Sequence, residues 1–458
     1  MEINQLLGIG KAALKSYRYS RRAWKSPESL KRLQDNALQR AVSIAYHHTD
    51  FYLEKYNKYG IHPSEIKTIE DLPKLPIITK QELIDYFNAA VPRSLNKNKA
   101  FLMGTSGSTG QPLQVYKDYT WLAHSLGFGL RMLKLHRMGL PKAAFIFDIN
   151  SMSSIENKTK NFYKYFTKRA MLIPVELDVV EIMERLEKAN VHYIATYTGV
   201  MRELATLRKN GMGKKLKLKK VGLTGELLDE YTREYIEDAF DCYCYSSYIS
   251  TEGGTIAIEC ENKKMHINSD YVMVEVVDQN GTPLPAGEDG SILLTCYDGG
   301  YGTPIIRYSG CSDVGQLLPD KCDCGLNTPI MGPIKGRSVD SIHLPDGRVY
   351  HAFSMTIPME KIQREYSNER IRQYQIVQHE LNKITISLIR NEEKNKEGDS
   401  LSDLMEIIQR AYQDQLGSEM DLKVQEVQEL TKIENVGMPT PLVLSQIGKK
   451  EKQGIKEL

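Results

Sequence analysis

The residues Gly104-Thr105-Ser106-Gly107-Ser108-Thr109-Gly110-Gln111-Pro112 concentrate more chemistry than any other short stretch of the chain. The glycines let the backbone come close to a ligand. Successive amides can form an anion nest, and the hydroxyls of Thr105, Ser106, Ser108 and Thr109 add donors. That chemistry suits a phosphate. No Gly-Lys-[Ser/Thr] triplet closes the loop, so it is not a Walker A loop. An ordinary flexible Gly/Ser loop is the alternative. A second set of residues suits a metal. Cys322-Asp323-Cys324 places two thiols one residue apart, and Cys260 precedes His266 in IECENKKMHIN. Thiolates and imidazole are zinc's preferred donors, and four of them close a tetrahedral structural site with no position left for water. The expectation is a structural Zn²⁺ on Cys260, His266, Cys322 and Cys324, with reduced cysteines in a turn as the alternative. Cys242 and Cys244 alternate with Tyr243 and Tyr245 and read as packing on a buried strand.

Such residues must be held by elements that the sequence also signals. The short apolar runs 143–148, 171–175, 192–196 and 221–225 read as buried strands. Amphipathic patterns at 178–189 and 199–209 lie between them, so this part is α/β with a largely parallel sheet. Residues 28–46 and 79–88 read as helices. Segments 271–278 and 290–297 flank Asn280-Gly281 and read as antiparallel strands. Beyond about residue 337 a small α+β unit follows. Its strands are 374–378, 383–389 and 421–427, and its helix 401–416 is opened by Ser402-Asp403. The expected fold is α/β, with a large N-terminal domain (1–338) containing parallel sheets and a β subdomain, and a small α+β lid (339–458).

Composition narrows the function classes. With 458 residues, two or three domains are expected, and 41% hydrophobic residues can bury a large core. A net charge of +2 argues against a dedicated nucleic-acid binder. No run of eighteen apolar residues exists to span a membrane. Lys11 and Lys15 break the N-terminal apolar stretch, which is no convincing signal peptide. The odd cysteine count and the absence of a signal point to a reducing, cytoplasmic setting. Residues 15–25 mix Arg18, Arg21 and Arg22 with Tyr17, Tyr19 and Trp24. They suit either a peripheral contact with anionic lipid or a surface helix with snorkelling basic residues.

GTSGSTGQP resembles the phosphate loop of the adenylate-forming (AMP-binding) superfamily, typically SSGTTGKP. Residues 37–81 are similar to the N-terminal region of phenylacetate–CoA ligases and CapK-type proteins. Gln111 stands where the family's lysine is usual. Tyr248-Ile249-Ser250-Thr251-Glu252 resembles the YGxTE motif. By that resemblance Tyr248 stacks on adenine, Thr251 bonds the α-phosphate and Glu252 holds Mg²⁺. Leu223-Thr224-Gly225-Glu226 resembles the segment along the adenine, with a strand-end turn as the alternative. Thr303-Pro304-Ile305-Ile306-Arg307-Tyr308 followed by Asp313 resembles PlIRYrtGDlG. Asp313 is implied as the ribose ligand, although it sits one place late. Gly336-Arg337 resembles the GRxdD segment, whose arginine reaches the nucleotide and whose last aspartate, here Asp340, is the hinge.

The resemblance implies an AMP-forming ligase. It would use ATP and Mg²⁺ to turn a small carboxylate into an acyl-adenylate, then transfer the acyl group to CoA or another thiol or amine, an amino sugar included. CapK-type relatives imply a place in surface or capsule polysaccharide biosynthesis. Oligomeric state is left as monomer or homodimer. Met438 stands where the family has a C-terminal lysine; Lys432 is the nearest cation and Lys449 lies beyond. Three readings follow: slow adenylation, substitution by Lys432, or a nucleotide-binding pseudoenzyme that partners a biosynthetic complex or catalyses only the second half-reaction.

Overall fold

The structure, a computed structural model, describes residues 3–105, 112–148, 169–297, 302–337, 340–367, 369–395, 400–431 and 442–447, with side chains from residue 11 onward. Ser106, Gly107, Ser108, Thr109, Gly110, Gln111, Lys432, Met438 and Lys449 lie outside the described residues.

Five strands run parallel in the order Ala170–Pro174, Ala143–Phe147, Tyr193–Tyr197, Lys220–Thr224, Tyr243–Ser250. Their alternate side chains enter two cores. Ile146, Ile173, Ile194, Val221 and Cys244 meet the helices Val179–Ala189, Thr198–Lys209 and Glu230–Phe240. Ala143, Tyr193 and Tyr245 meet Met132 and Leu135 of the helix Tyr119–Leu135. Apolar burial on both faces is what a parallel sheet requires. Asp178, Asp229 and Asp118 cap the helices that follow them, each accepting a bond from a backbone N–H of the first turn. Asn190 and Asp241 end two of the helices in the left-handed region, at φ 51° and 49°.

The same sheet continues antiparallel through Gly254–Glu259, Met265–Ile267, Ile330–Met331 and Leu317–Leu318. A second, four-stranded antiparallel sheet contains Val272–Val277, Gly290–Cys296, Asp313–Gly315 and Gly336–Arg337. Helices Pro27–His48 and Asp50–Lys58 bury Leu38, Val42, Tyr52 and Tyr56 in the core shared with that sheet. A further helix, Ile3–Ser20, which apolar periodicity did not single out, packs on Tyr119–Leu135. Gly127 permits the approach: a Cβ there would stand 2.8 Å from the Ser16 carbonyl.

Residues Ile342 to Val443 build a separate core around the sheet Asp421–Glu426, Lys383–Arg390, Ile371–Glu380, Val443–Ser445 and the helices Ala352–Glu365 and Ser402–Leu416. The Ser402-Asp403 start signal acts differently from expectation. Leu401 is the N-cap residue with no side-chain cap bond, while Asp403 pairs with Arg370 at 2.8 Å. Arg372 to Glu203 (3.4 Å), Lys209 to Glu369 (2.5 Å) and Arg364 to Glu234 tie this unit to the parallel-sheet layer.

Candidate active site

The C-terminal ends of the parallel strands open into a cleft of about 1690 Å³. This is where ligands bind in open α/β sheets. The glycine loop leaves the hairpin Phe101–Gly104/Gln114–Lys117 at the cleft's edge, with Gly104 opposite Gln114. Thr105 N–H donates to Leu113 O, and Leu113 N–H donates to Thr105 Oγ1, both at 2.9 Å. Thr105 therefore clamps the base of the loop, and its hydroxyl proton remains free to donate.

Tyr248 and Ser250, at the end of the strand Tyr243–Ser250, and Thr251 and Glu252, in the turn that follows, line the cleft. Asp313 and Arg337 face each other across paired short strands. Tyr248 Oη donates to Asp313 Oδ2 at 2.6 Å. The adenine-motif tyrosine and the ribose-motif aspartate, 65 residues apart, are thus in contact. The extra residue before Asp313 is absorbed in a turn: Ser312 N–H bonds Ser309 O at 3.1 Å with φ 57°. Asp313 so returns to its strand in register with Arg337. Burial pushes the Asp313 carboxyl up to about 6, against the pull of the Tyr248 hydroxyl and the Arg337 charge. Burial, and then Asp313, push the Tyr248 phenol upward.

Glu252 is 4% exposed, so it is no surface charge. Its Oε1 accepts from Tyr308 Oη at 2.8 Å, and its carbonyl accepts from buried Lys117 Nζ at 2.7 Å. One carboxylate oxygen is held by the protein, and the other can serve a cation. Gly225 takes φ 79° at the cleft wall. Glu226 accepts from Gly199 N–H at 2.5 Å, at the start of the helix Thr198–Lys209, where a carboxylate is favoured. Burial nevertheless lifts its carboxyl to about 7, with Glu203 adding to the rise. Phe145, Phe147 and Asp148 line the cleft with Trp121, Ser125 and Tyr197, while Ile146 alternates into the core.

Sequence reasoning passed over Lys80, which lies near the end of the segment 37–81. It lines the same cleft as Gly104 and Thr105, and Glu252, Arg337 and Cys311 all act on its charge. Burial lowers its pKa, opposed by Glu252. Its position follows from a strand-like bridge. Ile78 N–H bonds Arg307 O, and Ser309 N–H bonds Ile78 O, each at 3.0 Å. Thr79 then caps the short helix that Lys80 begins. A Thr-Lys pair at a capping box was visible in the sequence; that it faces Glu252 was not.

Cys260, His266, Cys322 and Cys324, none of them lining the cleft, place one ligand atom each within 4.8 Å of all the others. Cys260 and Cys322 sulfurs are 3.6 Å apart, and Cys324 Sγ is 3.3 Å from His266 Nε2. Zinc–sulfur bonds of about 2.3 Å at tetrahedral angles require sulfurs roughly 3.8 Å apart. The donor set therefore fits Zn²⁺. His266 Nδ1 faces Thr328 O at 3.4 Å, which orients Nε2 toward the thiols. Purified protein is expected to carry about one zinc per chain by atomic emission, and Cys322→Ser/Cys324→Ser close to none. Full zinc in the double variant would remove this site.

No family model matches the chain. Phenylacetate-coenzyme A ligase of Thermus thermophilus is 26% identical over 347 residues, covering 70% of this chain and 74% of that protein. Protein CapK of Staphylococcus aureus is 21% identical over 282 residues, covering 60% of this chain and 61% of CapK. The chain is a relative of the phenylacetate–CoA ligases and CapK. A crystal structure of 2-hydroxyisobutyryl-CoA ligase in the postadenylation state, in complex with R3-HIB-AMP, superposes with a TM-score of 0.75. It is 17% identical and covers 96% of this chain and 94% of that one, so this phenylacetate–CoA ligase relative has the same α/β fold. Among the described residues, no helix is long and apolar enough to cross a membrane.

Proposed function

We propose that the chain is an AMP-forming ligase that activates a carboxylate with ATP and passes the acyl group to CoA or to another thiol or amine. The observation that carries this reading is the Tyr248–Asp313 bond beside Arg337, Glu252 and Lys80, in one cleft with the glycine loop's anchors. Adenine would lie along Tyr248 and Gly225, and the ribose hydroxyls would donate to Asp313. Thr105, Thr251 and the amides of the glycine loop would hold the phosphates. The carboxylate oxygen attacks the α-phosphorus, the bond to the bridging oxygen breaks, and pyrophosphate leaves. A thiol or amine then attacks the acyl carbon, loses its proton, and AMP departs with the electron pair of the broken bond.

Glu252 has the free oxygen to hold Mg²⁺, which would neutralise charge on the phosphates. The zinc cluster would be structural, since its four protein donors complete the coordination. Trp121, Phe145, Phe147 and Tyr197 form an apolar arm of the cleft suited to the acid's carbon skeleton.

Carboxylate-dependent ATP–pyrophosphate exchange across a broad acid panel tests the reading. Exchange with any acid supports the ligase. ATP binding without exchange, and without acyl transfer from a supplied acyl-AMP, supports the pseudoenzyme that Met438 allows.

Asp313 gives the binding a pH signature. Its carboxyl, raised to about 6, is ionised above that pH and accepts both ribose hydroxyls; as pH falls through 6 it takes a proton and loses an acceptor. ATP affinity should therefore weaken several-fold between pH 7 and pH 5, as measured by calorimetry. Asp313→Asn should bind weakly with a flattened profile. An unchanged profile in the variant would remove Asp313 from the ribose site.

A further inference from the structure

We propose that the edge of the protein formed by the N-terminal ends of the parallel strands, with the turn after the first helix, docks on an anionic lipid surface. This edge lies opposite the strand ends that open into the cleft. Backbone bonds tie its segments together: Ala143 N–H to Arg169 O at 2.6 Å, His192 N–H to Lys142 O at 2.7 Å, and Lys219 N–H to His192 O at 2.9 Å. The side chains of Arg169, Lys142 and Lys219 project from it and are exposed. Arg169 Nη1 also holds Leu140 O at 2.7 Å. Arg137, whose side chain is 84% exposed, carries the charge onward. Lys134, 3.9 Å above the Trp24 ring, joins it to the turn containing Arg21 and Lys25.

Basic residues outnumber acids here. Residues 11–25, 131–142 and 214–220 contain no Asp or Glu, although the whole chain carries a net charge of only +2. Three acids do reach this edge: Asp241, exposed before the strand Tyr243–Ser250, Glu187, which accepts from Lys215 N–H at 2.7 Å, and Glu261, which sits 3.3 Å from both Arg137 and Lys220 and is offset by them. A surface of this kind attracts an anionic partner through its local field, whatever the net charge.

Exposed apolar side chains select lipid over other polyanions. Leu140 is 68% exposed within the basic edge. On the adjoining helix Leu14 is 77% and Tyr17 60% exposed, among Lys11, Lys15 and Arg18. Aliphatic tips and a tyrosine ring among cations match the headgroup–acyl boundary of an anionic bilayer. A phosphate backbone offers nothing to the leucines. Docked this way, the protein would keep its cleft turned to the aqueous phase.

Co-sedimentation of the full chain with vesicles tests this. Phosphatidylcholine vesicles containing phosphatidylglycerol should bind it, pure phosphatidylcholine vesicles should not, and raised salt should release it. Lys142→Gln/Arg169→Gln/Lys219→Gln should lower partitioning by about 100-fold, from roughly fivefold per cation lost. Leu14→Ser/Leu140→Ser should lower it several-fold while leaving the salt dependence unchanged. An unchanged thermal unfolding profile verifies that each variant folds. Equal binding to both vesicle types, no binding to either, or undiminished binding by the triple variant overturns the proposal. So does binding to duplex DNA with none to vesicles.

Discussion

Lys80→Ala lowers carboxylate-dependent ATP–pyrophosphate exchange by about 10²–10³-fold, the loss typical when one preorganised donor to developing charge is removed. By the resemblance to adenylate-forming enzymes, Met438 takes the place of a C-terminal lysine, and a thioether cannot stabilise charge on the transferring oxygens. Lys80 is half-buried in the cleft that the anchors of the glycine loop also line, within the fields of Glu252 and Arg337. Partial burial strengthens a fixed cation's effect on a phosphate, because less water screens it. ATP affinity should fall far less than exchange if the charge acts chiefly in the transition state. Lys80→Arg, which keeps the charge, should recover part of the rate. Exchange within threefold of the parent in Lys80→Ala would transfer the role to Lys432, and Lys432→Ala would then show the large loss.

Arg307→Ala destabilises the folded state by about 3–5 kcal/mol, the cost of breaking a buried pair by removing one partner. Arg307 is 3% and Glu275 6% exposed. The guanidinium bonds both Glu275 oxygens at 3.2 Å, and donates to Leu75 O at 2.8 Å and Gly281 O at 2.9 Å. It thereby joins the Pro73–Ile78 segment to the antiparallel sheet, and the backbone of Arg307 itself holds Ile78 next to Lys80. The loss depends on pH in a defined direction. Burial already raises the Glu275 carboxyl and Arg307 opposes the rise. Without Arg307 the folded-state value climbs further. A raised carboxyl contributes stability below its unfolded value and loses it as pH rises through the folded value. The deficit in urea unfolding should therefore be smaller near pH 5 than near pH 8. Glu275→Leu/Arg307→Met should recover most of the stability, since no charge is left unpaired. A deficit below 1 kcal/mol at pH 8 would show that the pair is solvated.

The two residues illustrate what a motif does and does not convey. Arg307 belongs to a stretch that resembles a nucleotide motif, yet its side chain is fully engaged in holding two layers together. Lys80 belongs to a stretch with no chemical motif of its own, yet its side chain reaches the cleft.

Periodicity along the chain was enough to place the parallel strands, the helices Val179–Ala189 and Thr198–Lys209 and the antiparallel pair 272–277 and 290–296, because burial on one or both faces imprints itself on neighbouring residues. It did not place the helices Tyr119–Leu135 and Glu230–Phe240. The clustering of Cys260, His266, Cys322 and Cys324 was also legible, since few residue types suit a metal and two of these lie a single residue apart. What the chain alone could not convey were contacts between distant segments: Lys80 beside Glu252, Arg307 on Glu275 and the carbonyls before Ile78, and Tyr248 on Asp313. Nor could it show how an extra residue before Asp313 would be absorbed, or that Asp403 would turn to Arg370 rather than cap its helix. Each depends on which elements pack together and in what register. Local propensity leaves that open, and only the assembled core decides it.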